Sequence, residues 1–168
     1  MRYFNVAGAS LDGSIGEDHR IEAHLIPLVL QTALGKRESI TIFGNDYDTK
    51  GGTCIRDYMH VVDLVEAHIQ ALEYLIEGNE NIFNLGSEQG YSVKEIIDVA
   101  QEVTGLPILT RQGDRRAGDP SILIASSRKA KDILGWEPKY TQIQQIIESA
   151  WNWHRQHPDG YVHLKNLV

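Results

Sequence analysis

The segment Thr53-Cys54-Ile55-Arg56-Asp57-Tyr58-Met59-His60-Val61-Val62-Asp63 brings a thiol, a guanidinium, carboxylates, a phenol and an imidazole together just after the glycine pair Gly51-Gly52. Such density beside a flexible loop points to a site rather than to a core. Two chemistries are open to it. One is a nucleophile cluster, with Cys54 served by His60 and an aspartate. The other is an anion grip centred on Arg56. A thiol nucleophile needs a base beside it and an orienting group behind that base. Cys54 and His60 are separated by an extended segment that runs into a helix start, so their spacing does not bring them together. Cys54 is therefore expected to be a small, partly buried residue.

A second cluster strengthens the anion reading. Arg115-Arg116-Ala117-Gly118-Asp119-Pro120 places two guanidinium forks in one tight turn, the geometry that takes phosphate or carboxylate in bidentate fashion. Paired with Arg56, it suggests a diphosphate held from two sides. Taken alone, this second cluster has a bland alternative, a solvated surface turn. The 7 histidines form no CxxC- or HExxH-type zinc signature. His154 and His157, near the end of a C-terminal helix, suit the helix dipole and read as structural. No G-x-G-x-x-G or P-loop pattern occurs, and Tyr3, Tyr58, Tyr74, Tyr91 and Tyr140 are none of them followed by lysine four positions on.

These clusters must be positioned by an ordinary globular scaffold. The chain has 168 residues, 42% hydrophobic and 23% charged, which suits one domain with a sizeable core. A formal charge of −7 argues against a protein that coats nucleic acid. The single cysteine, Cys54, cannot form an internal disulfide, and with no leader-like opening and no apolar run of spanning length a cytoplasmic setting is expected.

Along the chain, short strands are expected at Tyr3 to Val6, Ser39 to Gly44, Asn81 to Gly86 and Pro107 to Thr110, with a charged turn from Arg111 to Asp119. Helices are expected over Glu22 to Leu34 with Pro27 in the first turn and Gly35 as stop, and over Val61 to Ile76 ended by Gly78. Ser92-Val93-Lys94-Glu95 reads as a capping box opening a helix to Gly105. Ser126 or Ser127 is expected to cap a short helix to Leu134, and a last helix follows Thr141. The class is α/β, with mixed small sheets and helices packed on them.

The order of motifs then matches a known family. Arg2-Tyr3-Phe4-Asn5-Val6-Ala7-Gly8-Ala9, Gly16-Glu17-Asp18, His24-Leu25-Ile26-Pro27 and Ile42-Phe43-Gly44-Asn45-Asp46-Tyr47 run in its order. So do Gly52 through Leu64, Asn84-Leu85-Gly86, Arg115 through Asp119, and Trp151-Asn152-Trp153-His154. Together they resemble the C-terminal half of the UDP-glucose 4-epimerase (UDP-galactose 4-epimerase) family, extended short-chain dehydrogenases/reductases, over essentially the whole chain.

That resemblance implies one domain over residues 1–168, the UDP-sugar-binding part of an extended short-chain dehydrogenase fold lacking most of the Rossmann domain. Residues 1–8 would be a remnant strand of that sheet. The family oxidises the sugar C4 hydroxyl with bound NAD and returns hydride to the other face. Its catalytic tyrosine and lysine and its NAD loop belong to the N-terminal half, so no catalytic residue is assigned here. By motif, Asn5 would bond the UDP-sugar and Tyr3 would sit beside the nicotinamide of NAD. The His24-Leu25 helix start would meet the diphosphate with backbone amides, at a position often asparagine in the family. Thr41, Ile42 and Phe43 would line the uracil pocket, Arg56 and Arg116 would neutralise the diphosphate with Tyr58 in support, and Asp119 would take ribose hydroxyls. Leu123 falls where the family often has a size-limiting tyrosine, which implies room for an N-acetyl group. The expected partner is a UDP-hexose, UDP-glucose or UDP-galactose. The alternatives are a nucleotide-sugar binding or interaction module serving a separate Rossmann chain, and half of a related dehydratase or decarboxylase. An uncovered N-terminal strand would be an apolar edge, so self-association is expected.

Overall fold

The structure, a computed structural model, describes residues 1–161. It is organised around a strand that sequence patterning leaves hidden. β4 runs Ile55–His60, through the polar stretch that the spacing predicted only as a lead-in to a helix. Arg56, Asp57 and His60 break any apolar alternation, yet Asp57, Tyr58, Met59 and His60 are all buried.

Before it come β1 (Arg2–Tyr3), β2 (Asn5–Ala7), α1 (Leu25–Ala33) and β3 (Ile40–Phe43). After it come α2 (Val61–Ile76), β5 (Asn84–Leu85), β6 (Gly90–Ser92), α3 (Val93–Thr104), β7 (Thr110–Gly113), β8 (Ile122–Leu123), α4 (Arg128–Leu134) and α5 (Ile143–Gln156). β4 takes partners from three distant segments. β2 lies parallel to it with Asn5 opposite Tyr58, β6 antiparallel with Ile55 opposite Ser92, and β8 parallel with Arg56 opposite Leu123. Two parallel pairs, β1 with β5 and β3 with β7, complete the sheets.

Several boundaries differ from expectation. The N-terminal strand is broken at Phe4, because Tyr3 pairs with Leu85 while Asn5 pairs with Tyr58 on another strand. The Asn81 to Gly86 strand shrinks to Asn84–Leu85, its only paired residues. The strand expected at Pro107 to Thr110 lies instead at Thr110–Gly113, where Arg111 and Gln112 pair with Thr41 and Ile42. Proline has no amide to give a ladder, which disfavours the earlier start. Of the two serines, Ser127 is the N-cap residue of α4 but its Oγ lies 3.2 Å from the Glu88 carboxylate, while Ser126 Oγ accepts from the Arg128 amide at 3.5 Å.

Two cores support the sheets. The main one joins α1, α3 and α5 to β2 and β3 through Val29, Leu30, Ile42, Ile96, Ile146 and Ile147. The smaller one packs Met59, Leu64, Phe83, Leu85 and Trp136 between α2, β5 and α4. The α3 capping box forms as the spacing predicts, with Ser92 Oγ accepting from the Glu95 amide and Glu95 accepting from the Ser92 amide at 2.9 Å. Such a cap contributes about 1 kcal/mol. Helix α2 buries only Asp63, Leu64 and Ala67, so Val65, Ile69, Leu72 and Leu75 stand more than half exposed on its outer side. No helix among the described residues is long and apolar enough to cross a membrane.

Candidate functional site

The polar stretch resolves into two ends of β4. At the N-terminal end, Arg56 is ion-paired with Asp119 and also donates through Nη1 to the Ile55 carbonyl at 2.7 Å. Its side chain is only 14% exposed. Asp119 reaches it because the turn from Arg116 closes on itself, the Asp119 amide donating to the Arg116 carbonyl at 3.2 Å. Gly118, at φ +76°, supplies the left-handed backbone that turn needs. The two other guanidiniums of the turn lie on aromatic rings at the end of β3 and just beyond it. Arg116 stands 4.0 Å over Phe43, and Arg115 stands 4.2 Å over Tyr47 while pairing with Asp46. Arg115 holds the Asp46 carboxyl below its usual range. Three arginines are thus set around one rim, two of them stacked on aromatic rings that orient them.

Cys54 sits beside this rim but is not poised to react. Burial pushes its thiol up, with Asp119 adding to the effect and Arg56 and Arg116 opposing it. His60 is not its base. His60 caps α2, its Nδ1 accepting from the Val62 amide at 3.1 Å, while Nε2 lies 2.9 Å from Ser149 Oγ. Ser149 donates onward to the Ile146 carbonyl. Burial lowers the His60 pKa, so the ring is a neutral structural group. Asp63 accepts from the Lys139 and Tyr140 amides, both at 2.9 Å. His157 stacks on Trp153 with ring centroids 3.8 Å apart.

The remaining expected site residues are placed as follows. Thr41 is half-buried and Phe43 exposed on one side of β3, whereas Ile42 points the other way into the main core. Period-two alternation demands this, so a part for Ile42 at an open pocket falls to its backbone. Tyr58 is also in the core, 4% exposed, and burial pushes its phenol well up. Leu123 is half-buried beside Arg56 on the neighbouring strand. The Asn5 side-chain amide donates to the Asp57 carbonyl at 2.9 Å. Asp119, expected to be free for a ribose, is committed to Arg56.

A second region faces the N-terminal edge. Tyr3 and His24 line an open, mainly apolar cleft of ≈ 570 Å³ with Phe4, Ala7, Gly8, Ile15 and Val62. Gly8 (φ +91°) has no room for a Cβ, which would lie 2.9 Å from His60 Nε2. His24 precedes α1 without giving it a side-chain cap, so the helix start keeps the unsatisfied amides that favour an anion. Leu25 is the first helical residue there. The His24 ring instead meets Glu17 and Glu22.

Sequence reasoning missed Asp57, a buried carboxylate that accepts from Ser87 N, Ser87 Oγ and Ala125 N and ties two loops to β4. A lone aspartate in a polar run carries no signal for that. The Tyr-x-x-x-Lys spacing, not found among five tyrosines tested, does occur once, at Tyr161 and Lys165. Tyr161 is tied through its hydroxyl to the Gly16 amide at 3.0 Å, and Lys165 lies outside the described residues.

Known proteins are similar to this chain in sequence and fold. The UDP-glucose 4-epimerase of Lacticaseibacillus casei is 59% identical over 162 residues, 96% of this chain and 49% of that protein. A crystal structure of a UDP-glucose 4-epimerase superimposes with a TM-score of 0.92 at 60% identity, covering 95% of this chain and 49% of the other. The Bifidobacterium longum UDP-glucose 4-epimerase, solved with NAD+ and UDP, gives a TM-score of 0.87 at 37% identity, covering 95% of this chain and 48% of the other. The chain therefore spans about half the length of the relatives it matches. Residues 1–86 match the NAD dependent epimerase/dehydratase family, and to that family the chain belongs.

Proposed function

We propose that this chain is the UDP-sugar-binding portion of a UDP-glucose/UDP-galactose 4-epimerase and is inactive alone. The observation that carries the reading is the arginine rim. Arg56, mostly buried, has one carboxylate partner, and Arg116 is aimed by its stacking on Phe43 beside the same turn. A diphosphate would draw on both guanidiniums, displacing or sharing Asp119, whose carboxylate is then free to accept from ribose hydroxyls. The exposed edge at Phe43, with Thr41 beside it, would take a flat base. Asn5, the Leu25 amide and Leu123 would complete the sugar side, with Tyr58 as the buried support beneath Arg56.

NAD would supply the hydride chemistry in the whole enzyme, as the family name and the NAD-bound relatives suggest. No glycine-rich dinucleotide loop occurs in the 168 residues. Tyr3, at the exposed edge of the apolar cleft, would pack against a nicotinamide from a separate nucleotide-binding half. The exposed stripe on α2 and the edge at Tyr3 and Phe4 would be covered by that half, residues 1–8 forming part of its sheet. Uncovered, these surfaces favour self-association.

Calorimetric titration of the chain with UDP tests the reading. Binding that is lost in Arg56→Ala supports it. No heat at millimolar UDP removes the proposed site, and measurable epimerisation by the pure chain removes the claim of inactivity.

A further inference from the structure

The loop before α1 brings four metal-ligating side chains together at a spacing that no zinc motif describes. Glu17, His19, Glu22 and His24 each offer one ligand atom, all within 4.8 Å of one another. His24 Nδ1 lies 2.9 Å from Glu17 Oε1 and 2.9 Å from Glu22 Oε1. His19 Nδ1 lies 3.0 Å from Glu17 Oε1 and 3.6 Å from Glu22 Oε2. Ligands at the 2.0–2.1 Å bond lengths of a tetrahedral zinc site stand about 3.3 Å apart, and the distances here bracket that value.

Two further features separate this cluster from a chance meeting of surface charges. The carboxylates are largely withdrawn from water, the side chains of Glu17 and Glu22 being 18% and 6% exposed. Among the described residues neither has a lysine or arginine partner; their ion pairs are with these two imidazoles alone. Two partly buried carboxylates facing each other without a fixed cation are unfavourable unless a cation joins them.

The loop is also held in place. Trp153 Nε1 donates to the Glu17 carbonyl at 3.1 Å, and the Tyr161 amide donates to Asp18 Oδ2 at 2.8 Å. Gly16 lies flat on the Trp153 ring, where a Cβ would come within 2.1 Å. Glu22 Oε1 accepts from the Ala23 and His24 amides at 2.8 and 2.7 Å, which orients its carboxylate toward the other three groups.

We propose that Glu17, His19, Glu22 and His24 form a site for one divalent d-block cation, zinc above all, that fastens the loop before α1. Two imidazole nitrogens with two carboxylate oxygens are borderline donors that select zinc over magnesium or calcium. Binding requires both Nδ1 atoms unprotonated, so each ring carries its proton on Nε2 in the loaded site. The site would use the His24 side chain and leave the backbone amides of α1 free.

The test is a titration of the untagged chain, stripped with a chelator, by zinc chloride and in parallel by magnesium chloride. The expected result is one equivalent of zinc, with magnesium much weaker. A rise in Tm of roughly 5–10 °C is expected at a hundredfold excess over Kd. The double variant His19→Gln with His24→Gln should lose zinc affinity at least about tenfold, a difference of about 1.4 kcal/mol. His154→Gln, outside the cluster, should keep it. Cobalt(II) substitution reads the geometry directly: intense tetrahedral visible bands are expected in the parent and the His154→Gln chain and not in the double variant. Zinc affinity or cobalt bands unchanged in the double variant, a stoichiometry other than one, or magnesium binding as well as zinc would each overturn the site. UDP calorimetry on the same samples is a separate readout, so failure here and failure of the proposed diphosphate grip are distinguishable.

Discussion

The two ends of β4 carry similar polar side chains with opposite fates. At the His60 end every group is committed: the imidazole bridges Val62 and Ser149, and Asp63 takes two backbone amides. At the Arg56 end one guanidinium has a single carboxylate, and its neighbour Arg116 rests on an aromatic ring with no carboxylate partner among the described residues. The first end is a polar core in which each donor has found an acceptor, which is what makes burial tolerable. The second has positive charge left over for a ligand. Reactive side chains alone do not distinguish a site from a scaffold; unspent hydrogen-bonding capacity does.

The largest effect that would sharpen this contrast is expected at Asp57, the committed group between the two ends. Asp57→Ala strands the Ser87 and Ala125 amides and should cost roughly 3–5 kcal/mol of stability. Urea unfolding with an unchanged slope measures it, and a loss under about 1 kcal/mol would break the picture of a satisfied interior. At the other end, Arg56→Ala should weaken UDP binding by about 1.5–3 kcal/mol, roughly 10–150-fold in Kd, with little change in unfolding. Arg111→Ala, whose guanidinium is 61% exposed and paired with Glu38, should leave UDP binding unchanged in the same titration.

A smaller effect is expected from pH. Burial holds His60 and His154 below the ordinary histidine value of 6.5. The unfolded chain then binds more protons than the folded one in the window below 6.5, so stability present above that pH is lost as pH falls toward the folded values. Thermal melts across that range should show the fall, and His154→Gln should reduce its slope. A profile that rises on acidification would mean that the committed end is charged after all. The smallest effect belongs to Cys54→Ala, expected to change stability by about 1 kcal/mol or less and UDP affinity not at all. Loss of UDP binding in that variant would return the thiol to the site.

What could be read in advance follows from the range of each interaction. Helix α2 was legible end to end because Leu64, Ala67, Ala71 and Leu75 repeat at helical spacing, and the Ser92–Glu95 box was legible because its partners are three residues apart. β4 was not, since its burial depends on β2, β6 and β8 arriving from elsewhere. β6, Gly90–Ser92, has no apolar pattern to announce it. In the site, the arginines and Asp119 were named by type and motif, but their pairing joins residues 63 apart. Ile42 and Tyr58 were placed near the right strands while their side chains turned out to serve the core, a matter of which face each residue presents. The Glu17–His24 quartet was invisible because irregular spacing becomes a cluster only once the loop is folded on Trp153.

The Ala9 amide donates to Ser149 Oγ at 3.2 Å across 140 residues of chain, and Ser149 in turn holds His60. The segment that follows β2 therefore gains this bond only after α5 has been synthesised. During translation, most of the chain leaves the ribosome before that contact exists, which places it among the slow, non-local events of folding. For that interval β2 can pair with β4, but Ala9 and His60 still lack the Ser149 hydroxyl that joins them to α5.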